Sequence, residues 1–561
     1  MTVVELRVLD GPNLYFTRPA IKLTLGATPW LALPEGRAHR LTKQAGFTPV
    51  ATAGAPDSDQ RRRYVARFAV HVARLLADGT ATHLAIRGRP GPEAEQIVIA
   101  FVWRRQRAAE AFARELAPLL ELCLDGRSLE RAIAAAADRL DRMEPGPAPT
   151  VLHPTIPIIA VTGTNGKTTT VRLIAQLARA AGHTVAFTTT DGVYRDDELV
   201  EAGDYSGFSG AAKALAQPGI DLAVLETARG GILLRGMGTD HNDVAVVTNV
   251  TEDHLDQYGI RTLDQLAEVK ASITRITRPQ GWDVLNADDP RVLAMRRLAA
   301  GQPWLFSLDA DHPAIRTTLA EGGRAISVLD GALVVMSPRR HTHRLLPVED
   351  VPVTLAGISS HNLSNAMAAA AAALGAGIPE DAVVDGLRSF VLDPERNPGR
   401  ANIFAVDRRV VVIDYAHNED GMRGLIEICQ GLRAPGGRIF LAFGSAGDRT
   451  NAILHRLGYT AARGPDRVAI AHLHRYLRGR DPQDLVDRLQ AGLNDGGKPQ
   501  APVFPNELEA LEWMLTASAP NDVIAITALG QRTEIFQYLR DRGGAPVGPP
   551  RIRELVQRGR S

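Results

Sequence analysis

Residues 158–170, IIAVTGTNGKTTT, decide the fold, because an apolar run passes through a glycine-containing loop into a helical stretch. The run predicts a strand. The glycines allow a tight turn and let backbone N–H groups approach phosphate oxygens beside a helix N-terminus. Lys167 would neutralise the terminal phosphates of a nucleotide, and Thr168 would offer its hydroxyl to Mg²⁺. The pattern therefore predicts a phosphate-binding loop at the edge of an α/β sheet.

The loop departs from the full eight-residue P-loop pattern, because Val161 occupies the position of the first glycine. This departure weakens an assignment to nucleoside triphosphatases in general. The alternative is a glycine- and threonine-rich turn with an exposed lysine. The strand, loop and helix signals agree with one another, and this agreement favours the phosphate loop.

A proline-rich linker at residues 144–157 divides the chain, with five prolines in fourteen residues. Residues 1–143 combine helical stretches with strand-like runs, which predicts a small α+β domain. Short β-rich runs then alternate with helical stretches and predict a central domain at 158–398 with a parallel sheet and crossover helices. The alternation resumes in 399–545 and predicts a second, Rossmann-like α/β domain. Residues 546–561 are basic, and we expect a solvated tail.

Composition narrows the functional classes. The 561 residues suffice for several domains, and 64 Lys and Arg against 63 Asp and Glu give a net charge of +1, so bulk charge carries no nucleic-acid signal. Cys123 and Cys429 lie far apart and predict core thiols rather than a disulfide framework. The chain begins without a secretory signal pattern, and no apolar stretch reaches about 18 residues. We therefore expect a cytoplasmic protein with no membrane span.

A carboxylate and a histidine follow two predicted strands. The run at 221–226 ends in Glu226, and the run at 244–247 leads to His254. Ligands of open α/β sheets collect at the carboxyl ends of strands, where both side chains could hold Mg²⁺. A lone histidine is more often structural, but its place after a second parallel strand favours a metal role. Between the two, TARGG at 227–231 predicts a flexible, cationic turn near substrate or phosphate.

These motifs, in this order, resemble the Mur ligase family, and most closely the Mur-like part of the cyanophycin synthetases. The resemblance covers about residues 156–530, while residues 1–143 more weakly resemble the N-terminal domain of cyanophycin synthetase. That enzyme carries an ATP-grasp ligase domain between these parts, and here the proline-rich linker occupies its place. The motifs are GTNGKTTT (163–170), ETARGGILLRG (226–236), TNVTEDHLDQYG (248–259), NADDP (286–290), GISSHNLSNAMA (357–368), NPGR (397–400), DYAHN (414–418) and, in the N-terminal part, LDGPNLY (9–15).

The resemblance implies a Mur-ligase architecture with an ATP site shared by two domains. Asn362 and Asn365 match asparagines that contact adenine. Arg400 matches an arginine that reaches the phosphates, and Asp414 matches an acid that meets the nucleotide when the third domain closes. The ATP-binding loop residues are Gly163, Thr164, Asn165, Gly166, Lys167, Thr168 and Thr169.

The resemblance also implies a catalytic centre with two Mg²⁺ ions. Lys270 lies in a predicted helix and on its own would be read as a solvated lysine. It matches the lysine that Mur ligases often carry as a carbamate, which would turn a cation into a carboxylate-like ligand. His417 and Asn418 would line the amine side of the site. The implied metal ligands are Thr168, Glu226, His254 and Lys270.

The implied activity is ATP-dependent amide formation, in which a carboxylate is activated as an acyl phosphate and joined to an amine. The first hypothesis for the substrates is an amino acid and a peptide-like acid. In place of the missing ATP-grasp domain we expect a separate ATP-grasp ligase as partner or a different small substrate. The sequence leaves the oligomeric state open, with a homo-oligomer as one option.

Two other interpretations stay open. A folylpolyglutamate-synthetase-like ligase would share the loop and the third-domain motif, although TARGGILLRG at 227–236 favours the cyanophycin-type branch. A catalytically silent, nucleotide-binding scaffold for an ATP-grasp ligase would be expected to lose catalytic residues. All four that would signal this loss are present: Lys167, Glu226, His254 and Lys270.

Overall fold

The N-terminal region of the computed structural model, which describes residues 1–253, 255–338 and 340–560, is an antiparallel sheet covered by helices on one face. Its elements are β1 (Thr2–Leu9), β2 (Ala20–Gly26), α1 (Thr28–Leu31), α2 (Glu35–Gln44), α3 (Asp59–Gly79), β3 (Ile86–Pro90), β4 (Gln96–Val102), α4 (Gln106–Leu124) and α5 (Glu130–Asp141). The strand order is β1-β2-β4-β3. Alternate residues of β2 and β4, such as Leu23 and Ile99, are fully buried in the core beneath the helices.

The turn after β1 holds this N-terminal domain against the central domain. The N–H of Asp10 donates to the carbonyl of Arg235 at 2.8 Å, and the N–H of Met237 donates to the carbonyl of Pro12 at 2.7 Å. A Cβ atom on Gly11 would lie 1.8 Å from the carbonyl oxygen of Met237, so this close approach requires glycine. The LDGPNLY segment is therefore part of an interdomain contact.

The central domain is one large sheet flanked by helices. Its elements are β5 (Ile158–Thr162), α6 (Lys167–Ala180), β6 (Val185–Thr188), β7 (Gly192–Arg195), β8 (Glu198–Ala202), α7 (Phe208–Leu215), β9 (Leu222–Glu226), α8 (Arg229–Leu234), β10 (Asn242–Val247), α9 (Leu263–Lys270), β11 (Thr277–Asn286), α10 (Pro290–Ala294), β12 (Gln302–Ser307), α11 (Pro313–Ala320), β13 (Arg324–Leu329), β14 (Ala332–Ser337), β15 (Arg340–Pro347), α12 (Ser360–Gly375) and α13 (Glu380–Ser389).

The strand order in this sheet is β15-β14-β13-β12-β11-β10-β5-β9-β6-β7-β8. The strands from β13 to β6 run parallel. Antiparallel strands extend both edges. This confirms the predicted parallel sheet with crossover helices, and it brings the carboxyl ends of β5, β9 and β10 to one edge.

The alanine-rich helix α12 lies in the centre of this domain. Eight successive residues from Ala366 to Ala373, including Met367, are fully buried. The helix packs against α6 and against the strands β10 to β13. Small side chains let the helix and sheet backbones approach closely.

The C-terminal domain is a second α/β layer structure. Its elements are β16 (Asn402–Val406), β17 (Arg409–Asp414), α14 (Glu419–Leu432), β18 (Ile439–Phe443), α15 (Asn451–Ala461), β19 (Arg467–Ala471), α16 (Pro482–Asp495), β20 (Val503–Phe504), α17 (Glu507–Ala517), β21 (Val523–Thr527), α18 (Arg532–Asp541), β22 (Ala545–Pro546) and α19 (Pro549–Arg560). The order is β20-β19-β18-β21-β17-β16-β22, parallel from β20 to β17. This is the Rossmann-like domain that the sequence predicts.

The C-terminal end is a helix and not the solvated tail that its charge led us to expect. Helix α19 packs on α14 and buries Ile552 and Val556. Arg553 makes an ion pair with Asp350 of the central domain at 3.4 Å. The apolar residues at helical spacing within the basic segment, Ile552 and Val556 with Leu555 between them, are the signal that would have predicted this helix.

Three smaller expectations can be compared with the structure. The strand-like runs expected within residues 1–143 are present, for example as β3 and β4. Cys123 and Cys429 are free and buried, as predicted for core thiols. Within the described residues, no helix combines the length and the apolar character needed to cross a bilayer.

Candidate active site

The phosphate loop joins β5 to α6 through two positions that favour glycine. Gly163 has φ +154°, and a Cβ atom on it would lie 1.8 Å from Thr248 Oγ1. Gly166 has φ +85°, and its Cβ atom would lie 2.2 Å from Asn365 Oδ1. Lys167 is the first residue of α6. The loop is therefore packed tightly between the end of β10 and helix α12, in the predicted strand, loop and helix context.

Thr168 and Glu226 meet beneath this loop. Thr168 Oγ1 donates to Glu226 Oε2 at 2.9 Å. Glu226 ends β9 and is 2% exposed, and its Oε1 has no hydrogen-bond partner among the described residues. Burial raises the pKa of Glu226, while Lys167, Thr168 and Arg400 lower it in part. A buried carboxylate oxygen without a donor is costly to leave unpaired.

Lys270 is the last residue of α9 and is 3% exposed. Its Nζ donates to the carbonyl oxygen of Gly163 at 2.5 Å, which ties the helix to the start of the phosphate loop. Burial, followed by the positive charge of Lys167, holds the pKa of Lys270 well below its usual value. Lys270 is therefore a buried amine at the loop and not the solvated lysine that its sequence context alone suggests.

Helix α12 brings its two asparagines to the same region. Asn365 Nδ2 donates to Asn362 Oδ1 at 3.2 Å, and Thr170 Oγ1 donates to Asn365 Oδ1 at 3.4 Å. Both asparagines are buried. The pair thus stands beside the phosphate loop, at the start of the helix that Ser359 caps.

The C-terminal domain contributes Arg400 and Asp414 across the cleft. The guanidinium of Arg400 lies 4.5 Å from the ring centroid of Tyr415. Asp414 ends β17, and its Oδ2 accepts from the N–H of Ala401 at 2.7 Å. Burial raises the pKa of Asp414, and Arg400 lowers it in part. These groups place a cation and a half-buried acid on the C-terminal side of the cleft, opposite Glu226.

His417 faces an acid that the sequence did not single out. Its Nε2 lies 3.4 Å from Asp253 Oδ2, and its Nδ1 contacts the carbonyl oxygen of Tyr415 at 2.9 Å. Asp253 also makes an ion pair with Arg449 at 2.9 Å. Arg449 is almost fully buried. The sequence signal that could have identified Arg449 is the glycine-containing loop GSAGDR at 444–449, which follows the carboxyl end of β18.

The TARGG segment is the start of helix α8 and not the flexible turn that we expected. Arg229 is the first residue of that helix, and its Nη2 donates to Gln257 Oε1 at 2.8 Å. Gln257 Nε2 in turn donates to Asp448 Oδ2 of the C-terminal domain at 2.6 Å. The Cζ atom of Arg229 lies over the ring of Tyr258, 5.7 Å from the ring centroid. The contacts of Arg229 with Gln257 and Tyr258 hold this segment in place, although it contains two glycines.

One cleft of about 680 Å³ between the central and C-terminal domains gathers these groups. His254 lies outside the described residues. Asn418, which we expected on the amine side, does not line the cleft, because its side chain caps α14 and bonds to Asn165. The other predicted site residues all line it: Gly163, Thr164, Asn165, Gly166, Lys167, Thr168, Thr169, Glu226, Lys270, Asn362, Asn365, Arg400, Asp414 and His417.

The residues beneath the loop fit a magnesium ion. Glu226 offers a buried oxygen without a donor, and the Thr168 hydroxyl lies beside it. Mg²⁺ prefers oxygen ligands and keeps several waters, so one or two protein oxygens suffice. Among the described residues no group of three or more His, Cys, Asp or Glu side chains forms a metal cluster. One hydroxyl and one carboxylate oxygen form the small protein donor set that nucleotide-bound Mg²⁺ can use.

The fold and the cleft define a multidomain α/β protein in which a phosphate loop at the edge of a parallel sheet is covered by a second α/β domain. The model of the Mur ligase middle domain matches residues 161–373, and that of the Mur ligase glutamate ligase domain matches 399–530. The chain belongs to the Mur ligase family.

Individual relatives agree with this assignment. Cyanophycin synthetase of Synechocystis sp. is 37% identical over 386 residues, which cover 69% of this chain but only 42% of that protein. UDP-N-acetylmuramoyl-L-alanyl-D-glutamate--2,6-diaminopimelate ligase of Gloeobacter violaceus is 30% identical, covering 68% of this chain and 73% of the relative. The structure of E. coli FolC in complex with DHPP and ADP shares the fold, with a TM-score of 0.50, 20% identity, and coverage of 70% and 90%.

Proposed function

We propose that the protein is an ATP-dependent ligase that joins a carboxylate to an amine through an acyl phosphate. One observation carries the proposal: Lys167, Arg400 and the buried carboxylate of Glu226 converge in a single cleft between two domains. Burial raises the pKa of the Glu226 carboxylate, and both cations are close enough to offset part of that rise. Cationic groups held by the fold are what a reaction between two anions requires.

The first step is phosphoryl transfer. A carboxylate oxygen attacks the γ-phosphorus of ATP, the bond to the β-phosphate oxygen breaks, and ADP leaves with its electron pair. The two reacting groups are both negative, so Lys167 and Arg400 lower the repulsion by facing the transferring phosphoryl group. The glycine loop supplies backbone N–H groups at the start of α6 for the remaining phosphate oxygens.

Thr168 and Glu226, with His254 and Lys270, are proposed to hold Mg²⁺ beside the nucleotide. When bound, Mg²⁺ supplies positive charge to the phosphate oxygens of the bound nucleotide. The support from this chain is the hydroxyl of Thr168 next to Oε1 of Glu226, which has no partner among the residues that the structure describes. Lys270 would contribute as a carbamate, by resemblance to other Mur ligases. Its burial and its lowered pKa support this, because a neutral amine is the form that reacts with CO₂.

The second step needs the C-terminal domain. The amine nitrogen attacks the acyl carbon, phosphate leaves, and the amine proton passes to solvent. His417 lies on the C-terminal side of the cleft and is proposed to line the amine site. Water would hydrolyse the acyl phosphate, so the two domains must stay closed during this step. The contacts of Asp253 with His417 and Arg449 support such a closed arrangement.

The proposed substrates are an amino acid as amine and a peptide-like or amino-acid carboxylate. The support is the similarity to cyanophycin synthetase and to a ligase that acts on a glutamate-containing precursor. We further propose a separate ATP-grasp ligase as partner, because the proline-rich linker stands where cyanophycin synthetase has that domain. Action in the cytoplasm and assembly as a homo-oligomer are part of the same proposal.

Phosphate release from ATP and Mg²⁺ tests this function. The purified chain is offered pairs of amino acids and short aspartate- or glutamate-containing peptides, and products are weighed by mass spectrometry. We expect release that requires both an acid and an amine, with a product lighter by one water than their sum. Binding of ATP without product across the panel, with and without an ATP-grasp ligase, would instead favour a nucleotide-binding scaffold.

A further inference from the structure

The side chain of Asn165 contacts the C-terminal domain although its backbone belongs to the phosphate loop. The Asn165 N–H donates to Asn249 Oδ1 at 2.9 Å, and its carbonyl oxygen accepts from Thr248 Oγ1 at 2.6 Å. These bonds fix the loop backbone to the segment after β10. The amide of the side chain is left to bond elsewhere: it donates to Thr251 Oγ1 at 3.5 Å within the central domain, and its shorter hydrogen bonds reach the start of α14.

Asn165 and Asn418 form a reciprocal pair of amide hydrogen bonds. Asn418 Nδ2 donates to Asn165 Oδ1 at 2.9 Å, and Asn165 Nδ2 donates to Asn418 Oδ1 at 3.2 Å. Asn418 caps α14, because its Oδ1 accepts from the N–H of Gly421 at 2.8 Å. The amide is therefore rigidly attached to the helix, and two bonds in opposite directions are satisfied only when α14 has one position against the loop.

A third residue strengthens this contact. Asn165 Nδ2 also donates to Asp420 Oδ2 at 2.9 Å, and the same oxygen lies 3.1 Å from His361 Nε2. His361 belongs to α12, the helix that also carries Asn362 and Asn365. Burial would raise the pKa of Asp420, but His361 and Asn165 hold it below its usual value. The start of α14 is therefore bound by two elements of the central domain, and both line the nucleotide cleft.

We infer that Asn165, Asn418 and Asp420 form a latch that transmits the position of the C-terminal domain to the phosphate loop. Closing the domain aligns the Asn165 side chain and so steadies the loop between Gly163 and Gly166. Opening it removes three hydrogen bonds from the loop at once. The two asparagines act as positioning residues, and Asn418 does so without lining the cleft itself. The inference rests on the proposed nucleotide site but not on the identity of the two substrates.

The informative variant is Asn418→Ser. Serine still caps a helix, so α14 is retained, but its side chain is too short to reach Asn165. The partner variant is Asn165→Ala, and the two are combined in a double variant. The matched control is Arg553→Ala, which breaks the ion pair with Asp350 between the same two domains but outside the cleft. Far-UV circular dichroism checks that each variant keeps its helices.

Two measurements are made on the full chain: calorimetric binding of AMP-PNP with Mg²⁺, and small-angle scattering without nucleotide. We expect each single variant to weaken AMP-PNP binding by about fivefold, a magnitude typical of coupling between sites. The double variant should bind AMP-PNP no more weakly than the weaker of the two single variants, because both substitutions break the same interdomain contact. Scattering should give a larger radius of gyration for the two single variants and the double variant. For Arg553→Ala, both the radius of gyration and the AMP-PNP affinity should stay unchanged.

Full AMP-PNP affinity in Asn418→Ser, or losses that add in the double variant, would overturn the latch. A native chain that does not bind AMP-PNP would contradict the proposed nucleotide site instead. In that case scattering still decides the latch, because it needs no nucleotide. Equal radii for the native chain and Asn418→Ser would overturn it, and a larger radius for Asn418→Ser would support it.

Discussion

Glu226 and Asp283 are both buried acids in the central sheet, yet their surroundings differ. Asp283 lies within β11, where Oδ1 accepts from Thr277 Oγ1 at 2.7 Å and Oδ2 accepts from the N–H of Gly301 at 2.8 Å. Glu226 lies at the end of β9, with one oxygen bonded to Thr168 and the other unpartnered within the described residues. Burial raises the pKa of both acids, to about 7 for Asp283.

The difference teaches how to separate a structural acid from a functional one. Asp283 has both oxygens satisfied by groups of the fold, and no cation contributes to its pKa. Glu226 has cations nearby and an oxygen for which the described part of the chain provides no hydrogen-bond donor. A buried polar atom that lacks a hydrogen-bond partner within the protein indicates a position where a ligand or ion binds. The predictions below test this contrast from its largest consequence to its smallest.

Loss of the loop cation should have the largest effect. Lys167→Ala removes the charge that faces the transferring phosphoryl group, so kcat should fall by about 10³-fold, as when one preorganised charge-stabilising donor is lost. Phosphate release under saturating ATP measures it. Lys43→Ala, at an exposed lysine of α2, is the matched control and should keep native turnover. Near-native turnover in Lys167→Ala would contradict the assigned role of the loop.

Replacing each of the two acids by its neutral amide should change turnover to very different extents. Glu226→Gln keeps the size of the side chain but removes the anion, and we expect turnover to fall by about 10²-fold. Asp283→Asn should stay within about twofold of the native rate, because no part of the cleft touches it. Both rates are measured in the same phosphate-release assay. Equal losses in the two variants would remove the distinction between these acids.

Local signals located most of the cleft, because strand ends and helix starts are encoded by neighbouring residues. Glu226 ends its strand as predicted, and Lys270 lies on a helix as predicted. The pair Asn165 and Asn418 was missed, because its members are 253 residues apart and meet only when two domains come together. No local pattern encodes that placement. The contacts of Asp253 with Arg449 are missed for the same reason.

Replacing Lys270 should lower turnover moderately and should remove the dependence of turnover on CO₂. Lys270→Arg keeps a long basic side chain but cannot form a carbamate, and we expect turnover to fall by about tenfold, as when a group supporting a metal site is lost. Added bicarbonate should raise the activity of the native chain and not that of the variant. Native mass spectrometry should show one added CO₂ on the native chain alone. Full activity in Lys270→Arg would rule out the carbamate.

Asp283 should affect stability only, and in a way that depends on pH. Its pKa in the folded protein, about 7, lies above the ordinary value of 3.8, so the folded chain holds a proton that the unfolded chain releases. The contribution of Asp283 to the free energy of unfolding is therefore fully present below about pH 4 and is lost as the pH rises to about 7. Asp283→Asn should lose this dependence. Thermal unfolding at about pH 5 and about pH 8 measures it, and an equal pH dependence in both proteins would contradict the account.

The fate of one oxygen atom tests the central claim most directly. The acid that supports phosphate release is labelled with oxygen-18 in its carboxylate and incubated with ATP, Mg²⁺ and the amine. An acyl phosphate transfers one labelled oxygen to the phosphate that leaves when the amine attacks, so mass spectrometry should find labelled phosphate in step with the amide. Label in AMP, or unlabelled phosphate beside a formed amide, would contradict activation through an acyl phosphate.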